Sequence, residues 1–158
     1  PLRQWLPKGR VKAVIIALHG MNDYSNAFTG PGQYWAKQGI ATYAFDQRGF
    51  GANAEQIGIW PGQENLRRDV TAAVQAAQAK HPAAPVYVLG ESMGGAVAIV
   101  TLAQPAAPAV EGVILVAPAV WGGEYLGFVS RATLWTLAHL MPAKEFTGEG
   151  LKIRASDN

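Results

Sequence analysis

The six residues Gly90-Glu91-Ser92-Met93-Gly94-Gly95 constrain this chain more than any other feature. They fit Gly-x-Ser-x-Gly, a pattern that is common by itself. Its setting makes it informative, because it lies between an apolar strand-like run, Val86 to Leu89, and a helix-like run rich in small residues, Met93 to Gln104. A serine at such a corner projects into a cleft, clear of its own backbone. The turn crowds strand against helix, and the glycines two residues either side of Ser92 remove the Cβ atoms that would collide. The Met93 backbone N–H then lies at a helix start without an intrahelical partner, aimed where an oxyanion would form. Ser92 is therefore the candidate nucleophile. The bland alternative is a tight glycine-rich turn that carries a surface serine.

The rest of the pattern predicts an α/β fold. Leu2 to Leu6 reads as a short strand followed by Pro7-Lys8-Gly9, a turn of the kind that closes hairpins. Val11 to Leu18 is a nearly continuous apolar, β-branched run, which suits a strand buried on both faces. A helix is expected over 31–38, a strand over Ile40 to Phe45, and loop from Asp46 to Pro61. Gln63 to Lys80 is the clearest helix, with Leu66, Val70, Ala73, Val74 and Ala77 on one face. Val113 to Ala117 completes four apolar strands alternating with helices, the signature of a mostly parallel sheet covered on both faces. After Pro118 the character changes, and Trp121 to Met141 is glycine-punctuated, aromatic and mostly helical in pattern. Two parts follow: 1–120 as core and 121–158 as the start of an insertion.

Acyl transfer needs a second donor facing the oxyanion, and Leu18-His19-Gly20-Met21 directly after a strand can supply it. By position the donor is the Met21 backbone N–H, and Gly20 lets that loop approach the substrate. His19 has two readings, a general base or a residue that holds the loop by hydrogen bonds, and its place at a strand end favours the second. Asp46-Gln47-Arg48-Gly49-Phe50-Gly51 reads as a folded loop near the site, tied by an ion pair or by carboxylate-to-backbone bonds.

Composition excludes several classes. The 158 residues suffice for one substantial core, with 49% hydrophobic and 15% charged residues, so the chain is globular rather than disordered. A net charge of +2 with no basic stripe speaks against nucleic acid; Arg67-Arg68 is expected on a solvated helix face. There is no cysteine for disulfide or thiolate chemistry, which is neutral on compartment. No uncharged apolar segment reaches the roughly 18 residues that span a bilayer.

Together LHGMNDYSNAF (18–28), DQRGFG (46–51), GESMGG (90–95), LVAPAVWG (115–122) and LKIRASDN (151–158) resemble the monoacylglycerol lipase and lysophospholipase branch of the α/β-hydrolases, the serine aminopeptidase S33 or Hydrolase_4 group, bacterial members included. The resemblance implies an α/β-hydrolase fold and hydrolysis of a lipid ester with one long acyl chain. It implies no metal or organic cofactor, and a triad in the order Ser, Asp, His. Ser92 carries over as nucleophile, and Met21 and Met93 carry over as backbone donors. The acid and base do not, because after Ser92 the only Asp is Asp157 and the only His is His139, which precedes it. His81, beside Pro82, reads as a capping or exposed histidine. The expectation is a chain truncated at both ends, whose partner is the missing C-terminal half of the same fold and which by itself is nearly inert.

Residues 121–158 are then the start of a cap, with Gly20, Trp121 and Phe128 as expected substrate contacts. Its wide apolar surface is either packing for the core or a lid that lines an acyl tunnel and touches a membrane. An acyltransferase or thioesterase can use the same corner. From another class, a non-catalytic lipid-binding or interaction module would keep the fold without the chemistry.

Overall fold

The computed structural model describes residues 2–120 and 125–141, which belong to two compact units, 1–120 and 121–158. The first unit is built on strands β1 (Leu2–Trp5), β2 (Ala13–Leu18), β3 (Ile40–Phe45), β4 (Val86–Glu91) and β5 (Gly112–Val116). Their order across the sheet is β1-β3-β2-β4-β5. β3, β2, β4 and β5 run parallel, whereas β1 pairs antiparallel with β3, Leu2 opposite Phe45. The Pro7-Lys8-Gly9 turn therefore reverses the chain without making β1 a hairpin partner of β2. That place is taken by β3 and β4, which flank β2.

Three helices connect the parallel strands: α1 (Thr29–Lys37), α2 (Gln63–Lys80) and α3 (Met93–Leu102). Side chains of β2 alternate between two covered faces. Val14, Ile16 and Leu18 pack with Val70, Val74 and Ala77 of α2 and Val97 and Ala98 of α3. Ile15 and Ala17 pack on the other face with Phe28, Ala44 and Leu89. This two-sided burial explains why β2 is apolar without a polar alternate.

Two segments depart from the expected pattern. A 3-10 turn at Ser25–Phe28 leads into α1, which starts earlier than the glycine and proline at 31–32 suggest. A second stretch of 3-10 turns, Gly51–Gln56, structures part of the expected loop.

β5 has one neighbour among the described residues, and its side chains from Val113 to Val116 are each 41–46% exposed. Four consecutive apolar residues thus show both faces and one edge to solvent. In the second unit the described element is α4 (Phe128–Leu140), in the span expected to be helical. Most of its apolar side chains are exposed, Phe128 by 85%, and Leu137 is half-buried.

Candidate active site

β4 ends at Glu91 and α3 begins at Met93, so a single residue, Ser92, makes the corner. Its φ of 49° and ψ of −113° lie where a side-chain-bearing residue is strained, at a cost of about 1–3 kcal/mol. The surroundings enforce it. Ser92 N–H donates to Val116 O at 2.9 Å, and Ser92 O accepts from Gly95, Ala96 and Ala119 N–H at 3.0, 3.2 and 2.9 Å. The flanking glycines are required by contact: a Cβ on Gly90 would stand 2.5 Å from Gly94 O. Ser92 is half-buried, and its hydroxyl makes no cap bond to the helix. Gly95 and Ala96 direct their N–H groups to Ser92 O, which leaves Met93 N–H at the helix start without a partner among the described residues.

The loop after β2 approaches the same corner. Gly20 is buried, and a Cβ there would lie 3.4 Å from Ser92 Cβ. His19 is fully buried and bonded at both ring nitrogens. Gln47 N–H donates to Nε2 at 2.9 Å, so Nε2 must be unprotonated and Nδ1 carries the proton. Nδ1–H then donates to Gly20 O at 2.8 Å. Gln47 Nε2 closes the clamp by donating to His19 O at 2.8 Å. In a trans peptide the C=O and the following N–H point in opposite directions. Holding Gly20 O against the imidazole therefore turns Met21 N–H away from it. This geometry makes His19 a loop-holding residue, since a general base needs a free nitrogen. The sequence marks Gln47 as part of a folded loop but not its partner His19, which lies 28 residues away.

The neighbouring residues of this loop each hold a different segment. Asp46 is buried and accepts Ser25 N–H and Ala52 N–H at 2.9 Å each. Burial pushes this carboxyl upward, but hydrogen bonds from the Ser25 hydroxyl and the two backbone N–H groups outweigh it and hold it below the ordinary value. Arg48 makes its ion pair with Asp69 of α2, Nε to Oδ2 at 2.7 Å, and not within its own loop. A depressed carboxyl stabilises the fold above its unfolded value, and the contribution is lost as pH falls through the folded value. Asp46→Asn is expected to cost about 2–3 kcal/mol at pH 7, since it puts an NH₂ beside existing donors. In urea unfolding, the gap between wild type and variant should narrow below pH 4.

A cavity of about 370 Å3 opens beside Ser92, between Trp60, Leu66 and α3. Larger hollows exist among the described residues: two are lined by residues 78–86 with 109–111 and 6–12 with 36–39, near the starts of the strands, one lies beside Phe45, Asp46 and Asp69, and one lies on α4; none of them is lined by Ser92. Ligands of parallel sheets bind outside the carboxyl ends of strands, which is where Ser92 stands. Trp60 lies in the segment expected to be loop, where no periodicity marks it.

Of the other expected residues, Phe128 opens α4, while Trp121 and Asp157 lie outside the described residues. His139 Nδ1 bonds Trp135 O within α4 at 2.8 Å, and its ring stacks on that indole. His81 is the C-cap residue of α2, as one of its two readings expected, and is half-buried rather than exposed: its Nε2 and Tyr43 Oη are hydrogen-bonded at 2.7 Å, and burial and Lys80 lower its pKa.

A family model described as serine aminopeptidase, S33 (Hydrolase_4), matches residues 9–158. Human monoglyceride lipase is 31% identical over 118 residues, which is 75% of this chain and 39% of that protein. The chain thus spans about two fifths of the length of the mammalian monoglyceride lipases it matches, and less of some other relatives. Among solved structures, a thermostable carboxyl esterase from Bacillus coagulans superposes with a TM-score of 0.64 at 23% identity, covering 72% of this chain and 38% of that one. A monoacylglycerol lipase of Paleococcus ferrophilus gives 0.63 at 16% identity, covering 90% and 52%. These two likenesses concern the fold. With that fold, and with the family model matching nearly the whole length, the chain belongs to the serine aminopeptidase S33 (Hydrolase_4) family of α/β-hydrolases.

Proposed function

We propose that the full-length protein hydrolyses carboxylic esters of fatty acids through an acyl intermediate on Ser92. The observation that carries this is the strained positive φ at Ser92, held by four backbone hydrogen bonds between an unpartnered helix start and the buried Gly20 loop. Strain of this kind persists where a side chain must be presented. Ser92 Oγ attacks the ester carbonyl as a base removes its proton. The oxyanion is held by Met21 and Met93 N–H, one such donor being worth about 2.7–4 kcal/mol. The alcohol departs with the proton, and water then releases the acid from Ser92. A monoacylglycerol or lysophospholipid substrate is favoured by the relatives' names, human monoglyceride lipase among them.

The acid and base belong to sequence beyond this chain. The bare edge of β5, apolar on both faces, suits further strands that would carry them beside Ser92. Residues 121–158 would be the start of a cap, with Trp121 and Phe128 as candidate substrate contacts, and the exposed apolar side chains of α4 suit a lipid surface.

Incubating the full-length protein with a fluorophosphonate tests the reading. Stoichiometric labelling at Ser92 is expected. Ser92→Ala should abolish the labelling and lower kcat by roughly 10⁴-fold or more. A folded protein that takes no label, or a Ser92→Ala variant that keeps its esterase rate, would overturn it.

A further inference from the structure

Resting on the Ser92 reading, we infer that the trench beside Ser92 is the seat of the acyl chain and reads about its first ten carbons within the first unit. Its floor is one face of α3: Ala96 and Val100 follow Ser92 at spacings of four and eight, with Val97 beside them. Eight residues of helix span roughly 12 Å. A C–C bond of about 1.5 Å at a tetrahedral angle advances roughly 1.25 Å, so that floor matches about ten carbons. Leu66 forms a wall. Apart from Ser92, Gln63 is the one residue with a polar side-chain end that lines the trench among the described residues.

Trp60 lines the trench yet is 72% exposed, so its indole is not packed into the core. A side chain of that size left in water beside an apolar cavity gains burial when hydrocarbon arrives. Each methylene buried is worth roughly fourfold in binding.

The acyl group rather than the alcohol belongs here for two reasons. It stays covalently on Ser92 through the intermediate, so its site must be continuous with Ser92, as this trench is. The alcohol leaves with a proton from the base, and the apolar free edge open to further strands is that of β5. Trp60 lies in the connection that leaves β3, on the other side of β4 from that edge in strand order.

The test uses p-nitrophenyl esters of 2–14 carbons with the full-length protein, normalised to fluorophosphonate-titrated Ser92. kcat/KM should climb to about C8–C10 and then flatten. Trp60→Ala should lower the decanoate-to-acetate ratio of kcat/KM by 10- to 30-fold. Ala96→Phe, which fills the floor one turn from Ser92, should move the optimum to C4 or shorter. Ratios unchanged in both variants, with labelling intact, would overturn the assignment. So would variants that alter the response to alcohol length in alkyl acetates and not to acyl length. Failure of wild type to label would instead overturn the Ser92 reading, and this one with it.

Discussion

Gly94→Ala is expected to destabilise the protein by about 3 kcal/mol or more and to abolish labelling of Ser92. The added Cβ would overlap Leu18 O and stand 2.6 Å from Leu18 C and 2.8 Å from His19 O. These are backbone atoms of the centre of the sheet, where β2 is paired on both sides and Leu18 and His19 are fully buried. They have nowhere to go. Relief must come from α3 backing away, which unpacks Val97 and Ala98 and pulls apart the corner that holds Ser92. Overpacking of a tight core costs about 1–3 kcal/mol, and more when backbone must shift. The gain of up to about 1 kcal/mol in helix propensity from Gly to Ala works in the opposite direction. Gly30→Ala in α1 isolates that gain, because a Cβ there meets nothing within 4 Å. Urea midpoints should thus move in opposite directions for the two substitutions. A Gly94→Ala variant within 0.5 kcal/mol of wild type would show that the corner is looser than these distances imply.

What could be read from the sequence was the part fixed by local chemistry. The corner at Ser92 is spelled by six consecutive residues, and the apolar runs of β2 and α2 by their periodicity. Pairing partners were harder. The Pro7-Lys8-Gly9 turn encodes a reversal of the chain, but which strand β1 joins depends on competition for the edges of β2. The 46–51 loop was legible as scaffolding, while its partners were not: Gln47 reaches His19, Arg48 reaches Asp69, and Asp46 joins Ser25 to Ala52. Trp60 was invisible for the same reason, since the trench is assembled from β3–α2, α2 and α3 and has no period of its own. No motif in the sequence marks an acid or a base for Ser92, and Asp157 lies outside the described residues.

The second large effect concerns His19, where two substitutions of similar polarity should fail in different ways. Its ring performs two tasks: Nδ1–H holds Gly20 O, and Nε2 accepts from Gln47 N–H. The Asn side-chain amide reaches about as far as Nδ1, and that of Gln reaches about as far as Nε2. His19→Asn can therefore keep the donor to Gly20 O while orphaning the Gln47 N–H, a buried donor whose loss costs about 1–3 kcal/mol of stability. His19→Gln can keep that acceptor and leave Gly20 O with only the long 3.4 Å bond from Asp23 N–H. The Gly20–Met21 peptide is then free to rotate, and Met21 N–H is no longer held in the orientation that the proposed oxyanion role requires. On the oxyanion reading, His19→Gln should lose about 10²–10³ in kcat, the value of one such donor, with KM little changed. His19→Asn should stay within about tenfold of wild type in kcat while unfolding at lower urea than His19→Gln. The order of activities and the order of stabilities should thus cross. If His19 served packing alone, activity would follow stability through both variants, and a shared order would remove Met21 N–H from the chemistry.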